Sequence, residues 1–197
     1  YLKQTQNKNA SYPFDWIFSS QAIVIDAIKD NFKTFIDKNN IIPLGNRAGH
    51  KKYHNFMFNH KNPLSSDNNY SYYLRSIERF LNLIMSDHSL IFVITVLNEF
   101  DKRKSWYNGF INNMGPSEYQ NYSSFSNMTE IIKMRNKNIK FIFFEQITES
   151  NLGIEIKIKN NNHLWIKFSS RHRNTGVHYV DLVDDTIMKI LYQGLSF

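Results

Sequence analysis

The chain has 197 residues, 42% hydrophobic and 15% aromatic, with a net charge of +7 and no cysteine. The length suits one globular domain with a substantial core. The missing cysteine excludes disulfides, thiolate metal sites and a cysteine nucleophile within this sequence. The positive charge permits an anionic partner, but the lysines are scattered without interleaved aromatics, so no nucleic-acid site is expected.

Residues 1–10, YLKQTQNKNA, contain no apolar stretch of the kind a secretory signal needs. The sequence begins without Met, so it reads as a fragment, a processed product or the ordered part of something longer. Pro13 fixes its own φ and pushes Tyr12 towards extended backbone, so Pro13-Phe14-Asp15-Trp16 enters as a rigid corner. Asp15 stands between two rings that favour burial. A buried carboxylate needs donors, so Asp15 is expected to be buried. Its donors would be backbone N–H groups near Ile17 to Ser19, His60, or both. Ser19 or Ser20 caps a helix over residues 21–39, with apolar positions 24, 25, 28, 32, 35 and 36 on one stripe.

Residues 41–50, IIPLGNRAGH, read as a turn-rich connection broken by Pro43, Gly45 and Gly49. YHNFMFNH, residues 53–60, alternates and predicts a short strand. Asp67 or a neighbour caps a second amphipathic helix carrying Tyr73, Leu74, Ile77, Phe80, Leu81 and Ile84. LIFVITVL, residues 90–97, and IKFIFFEQI, residues 139–147, are nearly continuous apolar runs. They are expected to be neighbouring or near-neighbouring parallel central strands covered on both faces. The polar stretch between Asn98 and Asn127 is too long for a plain connection, and a short helix, MTEIIKMRNK, follows it. GIEIKIKN, residues 153–160, alternates strictly and predicts a half-exposed antiparallel or edge strand, with LWIKFSS as its partner. Asp181 caps the last helix, and Asp184 and Asp185 suit its positive N-terminal end. The order predicts a single α/β domain over residues 1–197, with helices layered on a mixed, partly parallel sheet.

No apolar run approaches the about 18 residues of a membrane span. No G-x-S-x-G, Walker or G-x-G-x-x-G motif occurs, and no cofactor is expected. His54 and His60 would share a strand face about 20 Å apart, too far for one ion. No metal site is expected, there or at His172 and His178. Arg171 and Arg173 in RHRNTG have the chemistry to grip a phosphate or carboxylate; a solvated loop is the plainer reading.

Pro13-Phe14-Asp15-Trp16, followed by an amphipathic helix and then by Phe58-Asn59-His60, resembles a papain-like cysteine peptidase family with a Pro-Phe-Asp-Trp motif. That family is a domain of unknown function found in bacteria and large DNA viruses, often near glycan-processing genes. LIFVITVL and HYVDLVDDTIMKIL resemble its following strand and its C-terminal helix, so the likeness covers most of the chain. It implies His60 as base and Asp15 as its orienting group, with a papain-like arrangement as the alternative fold; Trp16 is a candidate binding residue beside them. The family's Ser-Leu-Gly-x-x-Cys segment is missing here, and with it one strand. The resemblance therefore implies an upstream extension holding the nucleophile within about ten residues of Tyr1, since acyl transfer needs a thiolate as well as a base.

Three readings follow. One is a cysteine-dependent hydrolase or transferase acting on a peptide or ester, its nucleophile outside this sequence. The second is a non-catalytic domain of a larger viral or surface-associated assembly. The third is a glycan-processing or glycan-binding protein. A cytoplasmic location is expected, in the host cytoplasm or the virion if the source is viral.

Overall fold

A computed structural model describes residues 10–98, 108–117, 119–148, 153–160, 163–170 and 181–194. The fold is α/β, with helices and two sheets, one of them mixed. The chain divides into two compact units. Of the described residues, 11–91, 108–117 and 119–140 form the larger unit, and 10, 92–98, 141–148, 153–160, 163–170 and 181–194 the smaller.

In the larger unit α1 (Gln21–Lys29) starts at Ser20, whose hydroxyl accepts the Ile23 N–H at 3.2 Å. The single long helix expected here does not form. Asn31 and Phe32 take left-handed backbone, with φ of 53° and 63°, and a four-residue turn of helix, α2 (Lys33–Ile36), resumes after them. Few side chains tolerate that conformation, and burial of Phe32 against Phe14, Phe35 and Phe80 holds it. Residues 41–50, expected as an irregular connection, form a hairpin of β1 (Ile41–Leu44) and β2 (Arg47–His50). Gly45 supplies the positive φ of its turn. Pro43 is tolerated because β1 is an edge strand of this sheet. β3 (His54–Phe58) pairs antiparallel with β2, and the register shifts at Gly49. A Cβ on Gly49 would lie closer than 3.0 Å to the Asn55 carbonyl, so the bulge needs glycine.

α3 (Asp67–Ile84) is capped by Ser66 and buries Tyr73, Ile77, Phe80 and Ile84 as its spacing predicts. Leu74 lies on the exposed side. α4 (Ser126–Lys133) buries Met128 and Ile132. The core of this unit is aromatic: Phe14 meets Phe35 and Phe80 edge-on, and Phe58 meets Phe35 and Tyr73 the same way.

The second sheet runs β4 (Leu90–Leu97), β5 (Ile139–Thr148), β7 (His163–Ser170), β6 (Ile154–Asn160). β5 and β7 are parallel, and β6 and β7 antiparallel, as the alternation of GIEIKIKN predicts. Leu90 N–H donates to the Asn138 carbonyl and Asn98 N–H to that of Gln146. The equal offset at both ends is that of a parallel pair, so the two apolar runs are parallel neighbours as expected. Of the two runs, β5 is the central one and is buried on both faces, with Phe141, Phe143 and Phe144 at its core. β4 is outermost among the described strands and exposes Ile91, which corrects its expected central place. On β5 and β7 the apolar cluster of Ile142, Phe144, Ile166 and Phe168 takes one face. A ladder of Phe141, Phe143, His163 and Trp165 takes the other. α5 (Leu182–Gly194) starts at Asp181, whose Oδ1 accepts the Val183 and Asp184 N–H groups. Asp184 and Asp185 stand in its first turn and are buried, and Asp185 pairs with Lys189 at 2.8 Å.

Candidate functional site

The Pro13–Trp16 corner faces two ways. Pro13 is buried, and Phe14 drives into the aromatic core against Phe32, Phe35 and Phe80. That anchors the turn and leaves Asp15 and Trp16 outside. Burial of Asp15 is therefore corrected: the residue is exposed, and its Oδ2 accepts the Tyr12 N–H at 2.8 Å. With Asp15 N–H donating to the Tyr12 carbonyl at 3.2 Å, the carboxylate closes the turn from both sides. Tyr12 lies behind it in the chain, on the side away from residues 17–19.

Trp16 is 41% exposed. Its ring meets that of His60 edge-on, 5.5 Å between centroids and 78° between planes. His60 lies two residues beyond the end of β3 and is exposed. Phe18 N–H donates to the Met57 carbonyl at 3.0 Å, which lays residues 16–18 alongside the end of that strand. Three residues singled out in the sequence, Asp15, Trp16 and His60, thus share one surface. Arg171 and Arg173 lie outside the described residues, as do His172 and His178.

His54 does a different job from His60. It is buried, stacked on Phe18 at 4.7 Å and edge-on to Phe110 at 4.6 Å, and its Nδ1 accepts the Phe56 N–H. Gly109 presses against its ring so closely that a Cβ there would fall within 3.0 Å. Asn55 N–H donates to the Gly109 carbonyl and Ile111 N–H to that of Tyr53. The polar stretch flagged in the sequence is thereby bound to β3. Among the described residues no group of three or more His, Asp or Glu is placed to hold a metal ion.

Two polar centres were not singled out from the sequence. In the first, Asp26 on α1 accepts Lys52 Nζ on both oxygens, at 2.8 and 2.7 Å, and the Tyr53 hydroxyl at 2.6 Å. Partial burial opposes ionisation of Asp26, but the Lys52 and Tyr53 hydrogen bonds outweigh it and hold the carboxyl below its usual range. Burial pushes the Tyr53 phenol well up, and the Asp26 charge adds to this. His50 stacks on Tyr53 at 4.1 Å. Its Nδ1 accepts the Lys52 N–H at 3.1 Å, so Nε2 carries the proton and donates to the Thr34 carbonyl at 3.1 Å. Burial holds the imidazole below its usual range and so neutral. This centre ties α1 and α2 to the β2–β3 hairpin. Its members come from segments 27 residues apart, and no local pattern announces it.

The second centre lies in the mixed sheet. Glu145, 1% exposed, accepts Asn98 Nδ2 at 2.7 Å and Trp165 Nε1 at 2.6 Å, with Lys167 Nζ 3.9 Å away. On the opposite face Gln146 Nε2 donates to Ser170 Oγ at 2.6 Å. Asn98 follows the end of β4, Glu145 and Gln146 lie in the second half of β5, and Trp165 lies near the start of β7. A charged residue inside an apolar strand is the signal that marks Glu145 in the sequence. Its buried carboxylate is enclosed by its own partners, so it organises the sheet rather than meeting a ligand. Among the described residues no helix is long and apolar enough to cross a membrane. No family model, no curated protein and no solved structure matches this chain.

Proposed function

We propose that the protein binds a glycan on the surface of Asp15, Trp16 and His60. The observation that carries this reading is the exposed indole of Trp16 with an imidazole at its edge and a carboxylate next to it in the chain. An indole offers a flat apolar face with polar groups at its rim. A pyranose offers the complement, a face of C–H groups edged by hydroxyls that donate to a carboxylate and bond to an imidazole. One stacked ring with two polar neighbours supports affinity on the order of 1 mM. The test is a titration of the chain with a neutral hexose oligosaccharide and with a uronic-acid oligosaccharide, read at the Trp16 indole N–H by NMR. Saturable shifts that vanish in Trp16→Ala support the reading. Unmoved indole signals at about 10 mM of both sugars, tenfold above that affinity, overturn it.

The hydrolase reading keeps one favourable observation, an exposed His60 held against Trp16 of the motif that the resemblance rests on. Against it, Asp15 closes its own turn through Tyr12, and the sequence has no thiol. Under that reading this chain hydrolyses no peptide or ester. A chain extended upstream regains activity that both His60→Ala and replacement of the upstream cysteine abolish. Hydrolysis by the extended chain that survives His60→Ala would remove His60 from the reaction.

A further inference from the structure

We infer that the outer edge of β6 is a self-pairing surface, through which two copies of the chain join their mixed sheets across a twofold axis at Ile156. β6 is the outermost strand on its side of the sheet among the described residues. Ser169 N–H donates to the Gly153 carbonyl at 2.8 Å, in register with the 154–168 pair. In an antiparallel ladder hydrogen-bonded and non-bonded pairs alternate. Gly153, Glu155 and Lys157 therefore turn their backbone groups towards β7, and Ile154, Ile156 and Ile158 turn theirs outwards.

Two features bound this outward row. Gly153, with φ of 67°, bends the chain at one end, and a register shift between Ile158 and Asn160 interrupts the ladder at the other. The regular edge is thus residues 154–158, and its midpoint is Ile156. An antiparallel copy centred there brings the backbone of Ile156 against its own equivalent, and Ile154 against Ile158. Each outward N–H and C=O then has a partner. The same register sets Glu155 opposite Lys157 of the second copy in a non-hydrogen-bonded pair, the closer of the two kinds. Lysines on an edge strand ordinarily discourage pairing. Here Glu155 answers Lys157 by symmetry, so the charges choose this register rather than forbid it. Within one chain the two already form an ion pair at 2.7 Å, both half exposed. Ile154 and Ile156, 49% and 58% exposed, lie on the sheet face of Ile166 and Phe168, which are buried. Pairing extends that apolar face across the axis.

The test is sedimentation of the whole chain between about 1 and 200 µM, the range of weak, small interfaces. A reversible monomer–dimer equilibrium is expected. Glu155→Lys alone and Lys157→Glu alone each set like charges opposite one another and raise the dissociation constant about tenfold or more. The double reversal restores it. These side chains are at the surface, and circular dichroism confirms that each variant is folded. A chain that stays monomeric throughout the range overturns the proposal. So does a dimer indifferent to both single reversals, or one that the double reversal fails to restore.

Discussion

Removing the Tyr53 hydroxyl isolates one hydrogen bond between α1 and the hairpin. Tyr53 is wholly buried, and its hydroxyl donates to Asp26 Oδ2 at 2.6 Å. Tyr53→Phe keeps the ring, its stacking on His50 and its contact with Phe35. A hydrogen bond to a charged group contributes about 1.5–3 kcal/mol. The Asp26 side chain is 28% exposed and retains both Lys52 contacts, so water replaces part of the loss and the low end applies. A cost of about 1.5 kcal/mol corresponds to a fall in Tm of about 3–6 °C for a chain of this size. Thermal and guanidinium melts followed by far-UV circular dichroism measure it. Asp26→Asn and the double variant complete a cycle in which the two changes are non-additive.

The same variant has a signature in alkali. Burial raises the Tyr53 phenol above the ordinary tyrosine value of 10.0, and burial likewise raises Tyr73. Above pH 10 the unfolded chain ionises these phenols first, so the native state loses stability as pH rises. In Tyr53→Phe that decline is shallower, with Tyr73 supplying the remainder. A Tyr53→Phe variant within about 0.5 kcal/mol of the parent, the range of an ordinary surface change, or an unchanged alkaline slope, would refute the reasoning.

Gly49→Ala and Gly109→Ala each force a Cβ into a space already filled, by the Asn55 backbone and the His54 ring. Each is expected to lower stability by at least about 1–3 kcal/mol in denaturant titrations. Burial holds the His50 pKa below 6.5, so the stability it contributes is complete above pH 6.5 and falls below it, as the unfolded chain takes up the proton first. His50→Gln flattens that acid slope, and Asp26, whose own loss begins only below the ordinary carboxylate value of 3.8, leaves a separate, lower window. Glu145→Gln turns an amide N–H towards the Asn98 or Trp165 donor and costs about 1–3 kcal/mol, read by the same melts.

What the sequence made legible follows how local each determinant is. α3 and α4 show their buried faces at helical spacing, and β6 shows its alternation. The β1–β2 hairpin was hidden because Pro43, Gly45 and Gly49 are breakers by composition. Each is specific by place: an edge, a turn, and a close approach to Asn55. The break at Asn31 and Phe32 lies inside a good helical stripe and depends on Phe14, Phe35 and Phe80, far away in the chain or beyond it. The edge place of β4 could not be read from LIFVITVL, since an apolar run does not say how many neighbours it will have. At the corner after Pro13 the turn itself was legible, and the exposure of Asp15 and its bond to Tyr12 were not.

Asp15 and Glu145 carry the same sequence signal, an acid set among aromatic and aliphatic neighbours, and meet opposite ends. The difference lies in the backbone that carries them. In the turn after Pro13 successive side chains diverge freely, so Phe14 can pack on the aromatic core while Asp15 and Trp16 point out and the carboxylate closes on Tyr12. In β5 the two-residue period leaves no such freedom. With Phe141 and Phe143 on one face and Ile142 and Phe144 on the other, Glu145 must enter a covered face. The chain meets that demand with donors from both flanking strands, Asn98 after β4 and Trp165 on β7. An acid in an apolar run therefore reaches the surface where the run turns. It marks an internal anchor where the run is a central strand. That is why the proposed glycan surface is placed at Asp15 and Trp16, although Glu145 is the more deeply buried and better-bonded carboxylate.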